Sequence, residues 1–500
     1  LKVLFVTPEL APLTSIGGIG EGLGALARAL ARRGDDVTVV LPRFADAGAA
    51  LSLSRRPLGL SLRGDDDVSV LEGSLAPRLE IALVDSPFLA RRPHVYGPDT
   101  RDAANASRFA LFSRAVVALV REHARAGRSF AVVHCHEWPC AAVPYLLRVS
   151  ASPSPPPPPP PLAASDIAAA PPRTVLSLHN LAFQGIFDAA VLPELGLAPE
   201  HAALGALGVA SPEGRYVNFL RGGILAADAL TTVSPTYARE IVRPGMGEGL
   251  EDALVSRKGA LTGLLNGIDH DVWNPATDAA LPARYTAGNL RGKGVCKAAL
   301  LEELGLTEHA RERPLLVSAG RIVRQKGSDL LATALPALVD AGVTVVVAGS
   351  GEEPLADELR RAAASRPDHA RFLGFVQDDL LHRLLAAADL VAMPSRFEPC
   401  GIVQMYAHRY GAIPVARRTG GLADTITPVT PGLAAGSGFL FDPPTEGALI
   451  AAVTEAAAAV RSPTWTALQA RAMDIDHGWT RRSAAYASLY RKLAPPAPRA

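Results

Sequence analysis

The stretch M-P-S-R-F-E-P-C-G-I-V-Q-M-Y-A-H-R-Y-G, Met393–Gly411, decides how the chain folds. The apolar run Leu390–Met393 predicts a buried strand, and Pro394 ends it because proline has no N–H to give a ladder. Ser395, Arg396, Phe397, Glu398, Pro399, Cys400 and Gly401 follow as a loop, and the spacing then turns helical. Strand, loop and helix in that order make the repeating unit of an open parallel sheet, which binds ligands at the carboxyl ends of its strands. Helix starts at that edge supply unpaired N–H groups and positive dipole. Glu398 then has two readings: a carboxylate that holds ligand hydroxyls beside an anionic group, or a helix-start carboxylate favoured by the dipole alone.

The same unit repeats outward. Leu315–Gly320 predicts a strand, and Arg321-Ile322-Val323-Arg324-Gln325-Lys326-Gly327 is its loop. Arg321 offers a planar fork and Lys326 a point charge, so the two can share one diphosphate; otherwise they are solvated surface cations. Val343–Ala348, Phe372–Phe375 and Leu390–Met393 alternate with helical patterns, which predicts a parallel sheet in the second half. Leu449–Val460 predicts a late helix of that half.

The first half opens the same way. Lys2–Thr7 and Val37–Leu41 predict strands, with a helix between them carrying Leu23, Leu26, Ala27 and Leu30 and stopping at Gly34. Gly17 and Gly18 at the strand-to-helix turn either let N–H groups approach a phosphate or meet a packing need of the turn. Arg108–Val120 predicts an amphipathic helix. Val132–Trp138 is a strand end opening a loop. His134, Cys135, His136 and Cys140 lie close together, but no second ligand cluster with zinc spacing follows. Trp138 is either a core aromatic or a platform for a ligand ring. Seven prolines, Pro155–Pro161, sit in a Ser/Ala-rich insertion spanning 150–172; such a run extends as polyproline II. Thr174–Leu178 predicts a strand ending at His179, Asn180 and Gln184. Ser234 with Pro235 reads as a helix start, and Asn266-Gly267 as a tight turn.

Five hundred residues suit two domains rather than one core. A net charge of +1 gives no reason to propose nucleic acid or a membrane surface as partner. No apolar run reaches the ~18 residues of a membrane span. Four cysteines make no disulfide framework and suit a reducing compartment. The chain starts at Leu1 without Met, and we expect a targeting segment ahead of it to have been removed.

S-R-F-E-P-C-G, then Q-M-Y-A-x-R-Y-G and R-T-G-G-L-A-D-T, together with H-N-L-A-F-Q-G at His179–Gly185, resemble the bacterial glycogen synthase and plant starch synthase family. The likeness recurs along nearly the whole chain. It implies an α/β protein of the GT-B class: two Rossmann-like domains with parallel sheets facing across a deep cleft that closes on its substrates. The expected division is an acceptor-side domain over 1–275, a nucleotide-sugar domain over 276–477, and a helix over 478–500 that returns to the first domain. The activity implied is retaining transfer of glucose from ADP-glucose to an α-1,4-glucan, by a front-face route, with no metal and no cofactor beyond the substrate. It also admits association with starch granules.

The resemblance gives Glu398, His179, Arg321 and Lys326 to catalysis. Arg321 and Lys326 take the leaving diphosphate, Glu398 the glucosyl hydroxyls, and the His179 carbonyl the positive charge at the anomeric carbon. Donor binding falls to Gly17, Gly18, Ser15, Asn266, Cys400, Gly401, Thr419, Gly420 and Gly421. Acceptor binding falls to Glu137, Trp138, Asn180, Gln184 and Tyr96. Two departures stand out. The family's lysine beside the donor phosphates is Ser15 here, and its Asp before the Trp is Glu137. They leave standing a glucan-binding scaffold that kept the fold without turnover; a transferase using UDP-glucose is a further alternative, since the sequence does not rank nucleobases. The compartment expected is a plastid for an algal or plant protein and the cytoplasm for a bacterial one.

Overall fold

Lys2–Val6, Asp36–Pro42, Val132–His136 and Arg173–Leu178 are apolar with little alternation, as strands covered on both faces are, and all but their leading residues are buried. The structure is a computed structural model. It describes every residue except 15–17, 46, 63–65, 92–94, 97–102, 150–170, 204–206, 210–214, 307 and 495–500. The Pro-rich run, Ser15 and Gly17 therefore lie outside the described residues.

The chain divides into two units. Leu1–Val233, Ala238–Leu264 and Trp479–Ala500 form the first; Ser234–Tyr237 and Leu265–Gly478 form the second. The first unit holds β1 (Lys2–Val6), β2 (Asp36–Pro42), β3 (Ser54–Leu62), β4 (Asp66–Ala76), β5 (Leu79–Asp85), β6 (Val132–His136), β7 (Arg173–Leu178), β8 (Ile186–Asp188), β9 (Gly208–Val209), β10 (Tyr216–Asn218), β11 (Ala229–Thr232) and β12 (Leu261–Gly263). Nine of these strands make one sheet in the order β12-β11-β7-β6-β1-β2-β5-β4-β3. It is parallel from β12 to β5, but β4 and β3 add on antiparallel, an extension the all-parallel expectation lacks. β8, β10 and β9 form a small antiparallel sheet of their own.

Helix Gly18–Arg32 lays Leu23, Leu26, Ala27 and Leu30 into the core of this unit, each fully burying leucine contributing about 1.5–3 kcal/mol. Gly34, at φ 96°, ends the helix as expected. The helix expected over Arg108–Val120 runs longer, Ala103–Arg125. It is long and apolar enough to cross a membrane, yet 72% of its most apolar stretch is buried inside the fold, as a core helix is. The last helix, Trp479–Leu493, belongs to this unit: Trp479, Tyr486 and Tyr490 join its core, and Tyr490 shares a 2.7 Å hydrogen bond with His134 Nδ1.

The second unit holds β13 (Leu315–Ala319), β14 (Thr344–Ala348), β15 (Ala370–Phe372), β16 (Leu390–Met393), β17 (Ile413–Arg417) and β18 (Phe439–Phe441). They pair in parallel in the order β15-β14-β13-β16-β17-β18. The strand expected over Phe372–Phe375 ends at Phe372, because Gly374 turns the chain at φ 67° and Phe375 is left 76% exposed.

The passage between units lies at Leu264/Leu265, ahead of the boundary expected at 275. The Pro- and Asp-containing stretch after it is built into the second unit. Trp273 stacks on His382 and Tyr406 with ring centroids 4.0 and 3.6 Å away, and the Tyr285 hydroxyl donates to the Tyr410 carbonyl at 2.9 Å. Asn266 lies half-buried in an irregular link, and Gly267 does not take the left-handed backbone that an Asn-Gly turn would need.

Along the parallel strands, the order reverses direction once in each sheet. In the first it does so between β1 and β6, in the second between β13 and β16. Loops leaving the carboxyl ends of such a strand pair diverge to opposite faces and open a crevice, the usual ligand site of an open α/β sheet.

Candidate active site

In the second unit, the loops after β13 and β16 flank that crevice. Lys326 comes from the first and Glu398 from the second, and Lys326 Nζ lies 2.5 Å from Glu398 Oε2. The Ser395 hydroxyl donates to the same oxygen at 2.9 Å. Glu398 Oε1 has no hydrogen-bond partner among the described residues. The residue is 4% exposed, and with Oε2 taken by Lys326 and Ser395, Oε1 is the oxygen left for a ligand donor. The loops are stapled together: the Arg396 N–H donates to the Gln325 carbonyl at 2.8 Å, and Arg396 grips Asp329 with both guanidinium nitrogens at 2.6 and 2.7 Å. Such a bidentate clamp fixes orientation as well as energy. Arg321 stands exposed at the end of β13, 3.4 Å from the Gln325 side-chain oxygen.

The turn after β17 presses on the Glu398 loop. A Cβ on Gly420 would stand 1.9 Å from the Glu398 carbonyl oxygen, and one on Gly421 the same distance from that of Cys400. Only glycine fits at either place. Gln404, buried behind them, donates from Nε2 to the carbonyls of Cys400 and Gly401 and to the Thr425 hydroxyl.

In the first unit, β6 and β7 end side by side, and Glu137 and His179 follow them. Glu137 is buried and accepts the backbone N–H groups of His179 and Asn180 at 2.5 and 2.8 Å. It holds φ at 66°, a strained value for a residue with a Cβ. Burial pushes its carboxyl up to about 8, against the backbone hydrogen bonds from Asn180, His179 and Trp138 that would lower it. The His179 ring nitrogen Nε2 lies 3.3 Å from Nδ1 of His136, and burial brings His179 down to about 4, so both rings stay neutral at pH 7. His134 is held between Tyr490 and Ser177.

Residues 2–256 match the family model described as "Starch synthase catalytic domain", and residues 306–459 the one described as "Glycosyl transferases group 1". The chain is 42% identical to the glycogen synthase of Anaeromyxobacter sp. (strain Fw109-5), over 99% of this chain and all of that one. Against the glycogen synthase of Alkalilimnicola ehrlichii it is 39% identical, over 98% of each. The chain belongs to the starch and glycogen synthase family. Its structure matches the catalytic domain of starch synthase IV from Arabidopsis thaliana, solved with ADP and acarbose, at a TM-score of 0.85 and 30% identity over 99% of both chains. Sucrose-phosphate synthase from Thermosynechococcus elongatus shares the fold at 17% identity and a TM-score of 0.58 over 98% of both chains. The fold is GT-B.

For a member of this family, the residues singled out from sequence divide by unit. Arg321, Lys326, Glu398, Cys400, Gly401 and Thr419–Gly421 come together at the switch point of the second sheet. Gly18, Tyr96, Glu137, Trp138, His179, Asn180 and Gln184 belong to the first unit.

Several take other parts than expected. Glu398 is not at a helix start: the next helix is Val403–Arg409, so the dipole-only reading of this carboxylate fails. The Gly421 N–H is already given to the Glu398 carbonyl at 3.0 Å and is not a free donor for phosphate. Trp138 is 2% exposed, packed against Phe109, Phe187 and Tyr96 with centroids 4.9, 5.7 and 6.0 Å away. It is a core aromatic and not a sugar platform. Its ring also explains Gly185, where a Cβ would fall 2.4 Å from a ring carbon. Glu137 faces backbone and not solvent. Gln184 bridges structure, donating to the Leu181 and Glu248 carbonyls and accepting from Asn218 Nδ2. Asn180 Oδ1 accepts the Ala182 N–H in a local turn.

Sequence reasoning passed over Ser395, which orients Glu398, and the Asp329–Arg396 clamp. It also passed over Phe375, an aromatic left open at the carboxyl edge of the second sheet. Ser395 sits three residues before Glu398, a spacing that was available to be read.

Proposed function

We infer that the chain is a glucosyltransferase that extends an α-1,4-glucan with glucose from ADP-glucose. One observation carries this: a buried carboxylate with one oxygen held by Lys326 and Ser395 and the other unpartnered, at the switch point of a nucleotide-binding type of sheet. Breaking the bond between glucose and a nucleoside diphosphate puts new negative charge on the diphosphate and positive charge on the sugar ring. Lys326 keeps ammonium N–H groups beyond the one that meets Glu398, and Arg321 stands exposed on the same loop, so both can take the diphosphate. Glu398 Oε1 is then the acceptor for a glucosyl hydroxyl, and the carboxylate charge favours the cationic ring. Phe375 offers an open aromatic face on which a nucleobase can stack.

On this reading the two cations supply the charge a metal would otherwise bring, and turnover continues in EDTA. We take retention at the anomeric carbon to follow a front-face route. The curated relatives named above are bacterial, which favours a cytoplasmic setting over the plastid one considered from the sequence. The test is transfer to glycogen from ADP-glucose and UDP-glucose side by side, with the product digested by a β-amylase. Faster transfer from ADP-glucose into amylase-sensitive chains is expected. Faster transfer from UDP-glucose would reassign the donor, and glucan binding without transfer from either would make the protein a scaffold.

A further inference from the structure

The second unit has a cavity of about 390 Å³ at the amino ends of its strands, the opposite edge of the sheet from Lys326 and Glu398. One wall is the first turn of helix Arg291–Glu303, another is Asp389 just before β16, and a third is helix Trp465–Met473.

The electrostatics of this cavity are lopsided. Helix starts favour acidic residues, yet this one reads R-G-K-G and has no acid in its first turn. Arg291 is exposed at the rim, and its guanidinium makes no hydrogen bond or ion pair among the described residues. Lys293 is 5% exposed and donates to the carbonyls of Leu385, Ala386 and Tyr410 at 3.4, 2.9 and 2.9 Å; no carboxylate bonds it. Only Lys297 is matched, by Asp389 at 2.7 Å. Arg291 and the helix dipole therefore bring positive charge to the space, while Asp389 is taken by Lys297 and burial pulls Lys293 down to about 7, so that it carries only part of a charge near neutral pH.

The remaining lining is not what a bare ion needs. Gln469, 6% exposed, donates from Nε2 to the Gly411 carbonyl at 2.8 Å, while its Oε1 has no partner among the described residues. That oxygen accepts from a hydroxyl. Trp465 supplies a flat apolar wall beside it. The volume falls in the range of small-molecule pockets, ~300–1,000 Å³. We propose that this cavity binds a small sugar phosphate, its phosphate on the Arg291 guanidinium and its hydroxyls toward Gln469. The site is separate from the one that takes the nucleotide sugar.

The experiment is titration calorimetry on the full chain saturated with ADP, so that the diphosphate site is filled, with glucose 1-phosphate, inorganic phosphate and glucose as separate probes. Glucose 1-phosphate is expected to bind one-to-one and more tightly than either other probe. Arg291→Glu, at an exposed position, is expected to weaken it at least ~10-fold by replacing a charge-assisted contact with a repulsive one. Thr466→Trp, which fills the cavity from its exposed rim, is expected to abolish it. Both variants should keep wild-type turnover of ADP-glucose in the absence of sugar phosphate. The proposal is overturned if glucose 1-phosphate does not bind the ADP-saturated chain, if both variants bind it as wild type does, or if inorganic phosphate or glucose binds equally well.

Discussion

Lys326 Nζ and Glu398 Oε2 meet at 2.5 Å although they lie 72 positions apart in the chain. Neither residue signals the other by spacing. The pairing follows from sheet order, which sets β13 beside β16 and so brings the two loops to one place. On the proposed reading, a cation for the leaving group and a carboxylate for the sugar are thereby fixed against each other before substrate arrives.

Glu398→Gln removes the charge and keeps the shape. Turnover is expected to fall at least ~100-fold, because a neutral amide holds developing positive charge poorly, with little change in melting temperature. Initial rates and thermal melts of the variant check this. A wild-type rate would return Glu398 to a purely structural part.

Trp138→Ala is expected to cost ~3–5 kcal/mol of stability, the usual range for emptying a large aromatic site in a core. Trp138→Phe should cost less. Denaturation of both variants, beside glucan binding measured well below their melting points, separates the two readings of this residue. Unchanged stability with weakened glucan binding would restore the sugar-platform reading.

Glu137 gives a pH signature. Its carboxyl holds its proton up to about 8 in the fold, against 4.5 ordinarily. The stability it contributes is complete below pH 4.5 and drains away as pH rises toward 8, where only the unfolded chain is ionised. Glu137→Gln lacks this loss, so wild type should fall behind the variant across that window by on the order of a few kcal/mol. His179, lowered to about 4, works the other way, losing stability as pH falls below 6.5. Chemical denaturation of both proteins at pH 6.5 and 8 isolates the glutamate. A difference that does not change with pH would mean that Glu137 is ionised in the fold.

How much of this was legible in the sequence depended on range. Leu390–Met393 and Leu315–Ala319 were read as strands almost to the residue, since continuous apolar runs bounded by Pro or Gly have few other uses. The antiparallel pair β3 and β4 was not read. Ser54–Leu62 and Asp66–Ala76 mix charged and apolar residues and owe their state to pairing with β5. Trp138 could not be placed from sequence, because Phe109 and Phe187, which cover it, lie far off in the chain. Gly420-Gly421 was read as an offer of N–H groups to phosphate, whereas its small size first serves the close approach of the Glu398–Cys400 backbone. A motif names residue types, but the neighbour that demands them is set by the fold.

Ser15→Lys tests the lysine that the resemblance implies at this position. A gain of about 1–2 kcal/mol, roughly five- to thirty-fold in kcat/KM for ADP-glucose, is expected from one added charge-assisted contact to phosphate. ADP release against ADP-glucose concentration at fixed glycogen measures it, with Ser15→Lys/Ile16→Thr alongside to restore the turn. Activity unchanged or reduced in both variants would mean the turn no longer serves the donor.

Arg321 and Lys326 are proposed to carry the leaving diphosphate of a working glucosyltransferase. ADP release from ADP-glucose in the presence of glycogen, by wild type and by Arg321→Ala and Lys326→Ala, tests it most directly. The account predicts glycogen-dependent ADP release by wild type and a loss of kcat/KM of at least ~100-fold in each variant, since each contact is worth most in the transition state. Glycogen binding with no ADP release by wild type, or near wild-type kinetics from both variants, would contradict it.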